Sequence, residues 1–142
     1  MQLNKKEIET LIPHSGAMNL LNGVLKWDED HIICLANSHR SKHNPLRNEN
    51  ALSSVCGVEY AAQAMAVHGG LSKSDRDEEP RRGYLASIKN LELLVPRLDE
   101  VESDLMIEAN LLMKDTKFLI YRFRVFSEEL SLLSGRAIIS IK

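Results

Sequence analysis

No apolar run in this sequence approaches the roughly 20 residues that span a bilayer. The stretch Met1-Gln2-Leu3-Asn4-Lys5-Lys6-Glu7 lacks the apolar centre of a secretory signal. The expectation is a cytoplasmic protein with no membrane segment. A cationic surplus is missing too: 18 Lys and Arg stand against 20 Asp and Glu, a formal charge of -2. A general nucleic-acid binder draws most of its affinity from a basic excess, so that class is set aside. Cysteine occurs twice, at Cys34 and Cys56, in apolar stretches and without a CxxC pair. Free buried thiols are expected rather than a disulfide or a metal centre. His39 and His43 lie four residues apart, but Arg40, Ser41 and Lys42 between them read as loop and no third ligand is near. No metal site is expected. No internal repeat is visible.

What remains is an ordinary globular composition, with 44% hydrophobic and 27% charged residues over 142 positions. That length suits a single domain, residues 1–142, able to bury most of its apolar surface. Asn4 followed by Glu7 has the form of a capping box, and Ile8, Leu11 and Ile12 give a short helical stripe that Pro13 stops. Met18 to Trp27 and His31 to Ser38 read as a hairpin about the polar turn Asp28-Glu29-Asp30. Ser41 to Asn50 is a polar loop.

From Val55 to His68 the pattern changes. Val55, Cys56, Val58, Ala61, Ala62, Ala64, Met65, Ala66 and Val67 leave few polar positions, which predicts a helix buried nearly all round and ended by Gly69-Gly70. Ser72 to Arg82 is charged loop. Four strand-like runs follow: Gly83 to Val95, Val101 to Met113, Phe118 to Ser127 and Leu130 to Ile141. Alternation is clearest where Arg122 and Arg124 share one face and Tyr121, Phe123 and Val125 the other. One helix that is apolar on all sides needs a curved sheet over part of it and a partner subunit over the rest, so a dimer is expected.

Glu59 is the foremost candidate for chemistry. Its neighbours one turn away are Val55, Cys56, Ala62 and Gln63, so its carboxyl group would be partly desolvated. Desolvation favours the proton-bearing form that a general acid needs. The plainer alternative is a carboxylate at a dimer interface satisfied by Gln63. Among five histidines, His43 in His43-Asn44-Pro45 and His14 in Ile12-Pro13-His14-Ser15-Gly16 lie in loops that could approach the helix N-terminus. Either is a candidate base. Backbone N–H groups at Ser54, Val55 and Cys56 are candidates to hold a thioester carbonyl as negative charge develops on it, with Gln63 facing the substrate.

Ile12-Pro13-His14 with Met18-Asn19-Leu20-Leu21-Asn22-Gly23-Val24, His43-Asn44-Pro45, and Glu59-Tyr60-Ala61-Ala62-Gln63-Ala64-Met65-Ala66 together resemble the signatures of hotdog-fold 3-hydroxyacyl-ACP dehydratases. The likeness is greatest to the dehydratases of aryl-polyene pigment pathways. The resemblance implies an α+β hotdog fold: a short N-terminal helix, then a long central helix wrapped by a curved antiparallel sheet of about six strands. It implies elimination of water from a 3-hydroxyacyl thioester, with a histidine taking the C2 proton and Glu59 protonating the departing hydroxyl. It also implies no cofactor beyond the phosphopantetheine of an acyl carrier protein, and acid and base contributed by opposite subunits of a dimer. That assembly would be a homodimer, a larger assembly of dimers, or a heterodimer with another dehydratase. The acyl chain would run in a tunnel beside the helix.

The sequence departs from the family pattern at several points. Asn44 stands where phenylalanine usually follows the catalytic histidine, Ser53-Ser54 replace Pro-Gly at the helix start, and Asn22 stands where aspartate is frequent. The base is therefore divided between His43 and His14. Arg40, Lys42, Arg47, Arg81 and Arg82 lie in loops that would receive an acidic carrier protein, and Lys73 to Arg82 would serve equally as a lid. An acyl thioesterase, or a catalytically weak acyl-binding subunit of a heterodimer, fits the same residues.

Overall fold

The computed structural model describes residues 1–72 and 83–141. Two helices and seven strands follow in the order β1 (Leu3–Asn4), α1 (Lys5–Glu9), β2 (Gly23–Asp28), β3 (His31–Ala36), α2 (Gly57–Leu71), β4 (Gly83–Leu93), β5 (Leu105–Lys114), β6 (Phe118–Ser127) and β7 (Leu130–Ile141). The strands form one antiparallel sheet in the order β1-β2-β3-β5-β6-β7-β4. This is the hotdog arrangement, with α2 lying against the face built by β3, β5 and β6.

The sheet has one strand more than the six expected. The addition is the two-residue β1, whose Leu3 pairs with Val24 just ahead of the Asn4 cap. The capping box forms: Glu7 N–H donates to Asn4 Oδ1 at 3.0 Å and Asn4 N–H to Glu7 Oε1 at 3.2 Å. The first long strand starts later than expected. Gly16–Met18 is a 3₁₀ turn rather than strand. A second 3₁₀ turn, Ser54–Cys56, leads into α2. The helix also runs through Gly69 and Gly70 to Leu71. Gly70 lies so close to α1's exit that a Cβ there would sit 3.2 Å from Leu11 Cβ, so packing holds the pair helical where propensity alone would end it.

Alternation decides the core. Tyr121, Phe123 and Val125 of β6 are buried beneath the helix, while Arg122 and Arg124 are exposed on the outer face. On α2, Tyr60, Ala61, Ala64, Met65 and Val67 are buried, whereas Val58, Glu59, Ala62 and Ala66, with Val55 of the preceding 3₁₀ turn, keep a stripe that the sheet does not cover. The entrance to the helix is pinned from the β4–β5 connection. Leu98 N–H donates to Leu52 O at 2.8 Å, and Leu52 N–H to Asp99 Oδ1 at 2.8 Å. The Arg97 guanidinium holds the Asp99 carboxyl at about 2, well under the usual carboxylate range. Both cysteines are free; burial pushes the Cys34 thiol up to about 12.

Two histidines act as buried wedges. His68 Nε2 lies 2.9 Å from Asp28 O, which can only accept, so that nitrogen carries the proton and Nδ1 accepts from Tyr121 OH at 2.6 Å. This bond pair ties the end of α2 to β2 and β6. His39 is fully buried, with Nε2 2.9 Å from Val101 O. Burial lowers the pKa of both rings below the ordinary histidine value. Protonation therefore favours the unfolded chain, in which the rings titrate near 6.5. Stability should be fully developed above about pH 6.5 and decline as the pH falls below it. Urea midpoints at pH 7.5 and 5.5 check this, and His68→Gln should shrink the difference to the part that His39 contributes.

Candidate functional site

The N-terminal third of α2 and the loop between α1 and β2 meet around Gln63. This amide is almost fully buried, and each of its polar atoms is used. Its Oε1 accepts from Leu20 N–H at 2.9 Å, and its Nε2 donates to Met18 O at 2.9 Å and to Glu59 Oε1 at 3.3 Å. One side chain thus fixes the loop against the helix and orients the carboxylate one turn back. Gln63 was expected to face substrate. In the single chain all of these bonds are made to the protein itself.

The clamped loop carries His14. α1 ends at Glu9, four residues before the proline expected to stop it, and Gly16, at φ +57°, turns the chain in a left-handed conformation while its N–H donates to Glu9 Oε1 at 3.0 Å. His14 Nε2 thereby comes to 3.5 Å from Glu59 Oε1, and its buried Nδ1 has no hydrogen-bond partner. The side chains retain 30% and 43% of their exposure respectively. Glu59 is thus less sheltered in the single chain than its place on an apolar helix led one to expect. The dyad opens on the stripe of α2 that the sheet leaves bare.

His43 is placed differently. Its backbone N–H donates to Ser41 Oγ at 3.1 Å, its ring is exposed, and it does not meet Glu59 within the chain. Its neighbour Asn44 explains the geometry. Asn44 is buried, with Nδ2 donating to Ser38 O at 2.9 Å and to Tyr60 OH at 3.0 Å. Tyr60 OH is also 2.7 Å from Ser38 Oγ, which donates to Leu20 O at 2.7 Å. Asn44, Ser38 and Tyr60 therefore lock the His43 loop to α2 and to the same segment that Gln63 grips. This trio carried no signal in the sequence beyond a polar residue where phenylalanine is usual.

The helix entrance offers fewer free donors than expected. Ser54 N–H donates to Pro96 O at 3.1 Å and Cys56 N–H to Ser53 O at 3.0 Å. Both are spent, because the segment before α2 pairs with the β4–β5 connection and then winds into a 3₁₀ turn. Val55 N–H, 3.4 Å from Ser53 Oγ, is the least engaged of the three. The loop cations are partly spent as well. Arg40 binds Asp104 at 2.6 Å and Glu102 O, while Arg47 binds Ser41 O at 2.7 Å, Asn50 O and His39 O. Arg81, Arg82 and the segment 73–82 considered as a lid lie outside the described residues. A concavity of about 550 Å³ lies away from Glu59, at the β2–β3 turn, between Asp28–His31 and Asn110–Leu112 with Arg122. Among the described residues no group of three His, Cys, Asp or Glu side chains is placed to hold a metal ion.

If Gln63 is the clamp, Gln63→Leu should orphan Leu20 N–H and Met18 O at a cost of roughly 1–3 kcal/mol per buried group. Urea unfolding measures the loss, and Gln63→Glu should restore only part of it.

The model of the ApeP-like family, described as ApeP dehydratase, matches residues 6–140. Among solved structures, the ApeI:P dehydratase heterocomplex from Xenorhabdus doucetiae is 26% identical with a TM-score of 0.83, over 95% of this chain and 90% of that one. A thioesterase from Haemophilus influenzae is 15% identical with a TM-score of 0.69, over 100% of this chain and 92% of that one. A thioesterase from Pseudomonas aeruginosa is 8% identical with a TM-score of 0.69, over 99% and 95%. These two likenesses concern the fold alone. No curated protein matches the sequence. With the family model spanning nearly its whole length, the chain belongs to the ApeP-like dehydratases.

Proposed function

We propose that the protein eliminates water from a 3-hydroxyacyl thioester carried by an acyl carrier protein, giving the trans-2-enoyl thioester, with His14 and Glu59 as base and acid. The observation that carries this reading is their 3.5 Å approach at the open face of α2. His14 takes the proton from the carbon next to the carbonyl. The electron pair forms the double bond as the C3–O bond breaks, and protonated Glu59 supplies the proton with which the hydroxyl leaves as water. Val55 N–H, the least engaged donor at the helix entrance, would hold the carbonyl oxygen as charge grows on it. No metal or redox cofactor is needed for this step.

An assembly would complete the site. Besides the uncovered stripe Val55, Val58, Ala62 and Ala66, Leu93 and Leu94 at the end of β4 are exposed. The eleven-residue β4 ends the sheet's strand order. A long apolar edge of this kind is an association surface unless covered. A second copy, or a second dehydratase as in the Xenorhabdus heterocomplex, would cover it and shield Glu59 further. No described helix is long and apolar enough to cross a membrane; we place the reaction in the cytoplasm. A thioesterase would use the same carboxylate to activate water, and the shared fold supports that alternative.

The test is turnover of 3-hydroxyacyl-pantetheine thioesters by the pure protein, alone and with a partner dehydratase, followed by mass spectrometry. Enoyl thioester is the expected product, and free thiol would make the protein a thioesterase. Glu59→Gln and His14→Ala should each lower kcat by about 10²- to 10⁴-fold. His43→Ala should leave kcat within about threefold, an effect too small for a base. The reverse pattern for the two histidines would transfer the base to His43 of a neighbouring subunit.

A further inference from the structure

The outer face of the sheet, turned away from α2, carries a row of cations that neither the dyad nor the dimer edge uses. Arg122 on β6 stands directly opposite Arg136 on β7, and Arg136 directly opposite Lys89 on β4. Adjacent strands lie about 4.8 Å apart, so three positive side chains project in line from neighbouring strands. All three are exposed, and among the described residues none has an ion-pair or hydrogen-bond partner. Arg124, one row along, is exposed as well; its guanidinium sits 4.1 Å over the Phe126 ring and 3.7 Å from Glu108, itself bound to His31. Like charges facing each other across strands oppose pairing. In a chain with net charge -2, this register concentrates positive charge in one place.

The row borders an apolar strip. Ile120 faces Ile138 and Met113 across the neighbouring strands, and Met113 is exposed. On the far side the acidic turn Asp28–Asp30 bounds the patch beside Arg122. Cations spread over three strands of an open face, next to aliphatic side chains, suit a broad acidic protein surface better than a small anion held in a pocket. The face also lies close behind the dyad's helix. Gly57, at the start of α2, packs against Leu133 so tightly that a Cβ would fall 2.5 Å from Leu133 Cδ2. Arg136 follows three residues later on the same strand, about 10 Å along it and on the opposite face.

We infer that Lys89, Arg122, Arg136 and Arg124 form the docking surface for the acidic carrier protein that delivers the thioester. This rests on the reading of the substrate as carrier-bound, and it moves the docking surface away from the loops. There Arg40 and Arg47 are already engaged within the chain. Carboxylates of the carrier pair with the row, and its apolar side chains meet Ile120 and Ile138.

The experiment compares the intact protein with the double variant Arg122→Glu/Arg136→Glu. Each is titrated with phosphopantetheinylated carrier protein and assayed on one 3-hydroxyacyl thioester, borne either by the carrier or by free pantetheine. The variant should bind carrier at least about tenfold more weakly and lose the salt dependence of binding. Its KM should rise by a similar factor for carrier-bound substrate alone, while turnover of the pantetheine thioester stays within about twofold. Arg122→Lys/Arg136→Lys should behave as the parent. Undiminished carrier binding by the charge-reversed variant overturns the assignment. So does selective loss of binding to phosphatidylglycerol vesicles with carrier affinity intact, which would make the face a lipid contact. Charge-sensitive carrier binding with neither thioester dehydrated upholds the docking surface and contradicts the proposed function instead.

Discussion

The amide of Gln63 is the point at which fold and chemistry become one problem. A carboxamide buried on a helix must have both its oxygen and its nitrogen satisfied, since an orphaned polar group in such a place costs much of what the surrounding packing contributes. Here the partners are Leu20 N–H and Met18 O of a loop more than forty residues earlier in the chain, and Glu59 one turn back on the same helix. The helix can settle into the sheet only if that loop comes with it, and the loop brings His14. The sheet supplies the counter-surface through Tyr121 and Phe123, and the β4–β5 connection supplies the anchor through Asp99. The meeting of an imidazole and a carboxylate therefore follows from completing a buried hydrogen-bond set.

The position of the dyad relative to water is the other half of the design. Gln63 and Tyr60 look into the chain and are sealed, whereas Glu59 and His14 look outward along the stripe that the sheet leaves bare. A proton donor must be sheltered enough to keep its proton and open enough to receive substrate. In the single chain openness prevails. The apolar residues flanking the dyad and the exposed leucines at the β4 end are the surface on which the proposed second subunit would restore the balance, so the proposed assembly and the proposed chemistry would share the same few side chains. The cationic row faces the other way and leaves that edge free.

Much of this was legible in the sequence because periodicity and chemistry agreed. The alanine-rich run is the buried helix, the alternation of Tyr121 to Val125 gives the inward and outward faces of β6, and Asn4 with Glu7 caps α1. Glu59 stood out as a carboxylate among small apolar neighbours, and His14 and His43 as loop histidines. Which of the two lies beside Glu59 within the chain was not legible, since it depends on long-range hydrogen bonds that no local pattern encodes. Asn44 read as a departure from a family motif, and only its bonds to Tyr60 and Ser38 turn it into a lock. The helix end was misjudged at Gly69-Gly70 because contact with Leu11 overrides the glycine signal. His39 and His68 read as strand and helix ends, whereas burial makes them neutral wedges. The cationic row needed the strand register, which a sequence does not disclose.

In the proposed reaction Glu59 and His14 act on the carbon–oxygen bond at C3 and not on the thioester carbonyl. Addition of water to a trans-2-enoyl pantetheine thioester, run in water enriched in the heavy oxygen isotope, tests it most directly. The label is expected at C3 of an intact 3-hydroxyacyl thioester, with incorporation abolished in Glu59→Gln. Label appearing in a released carboxylate, or C3 labelling that survives the loss of Glu59, would contradict it.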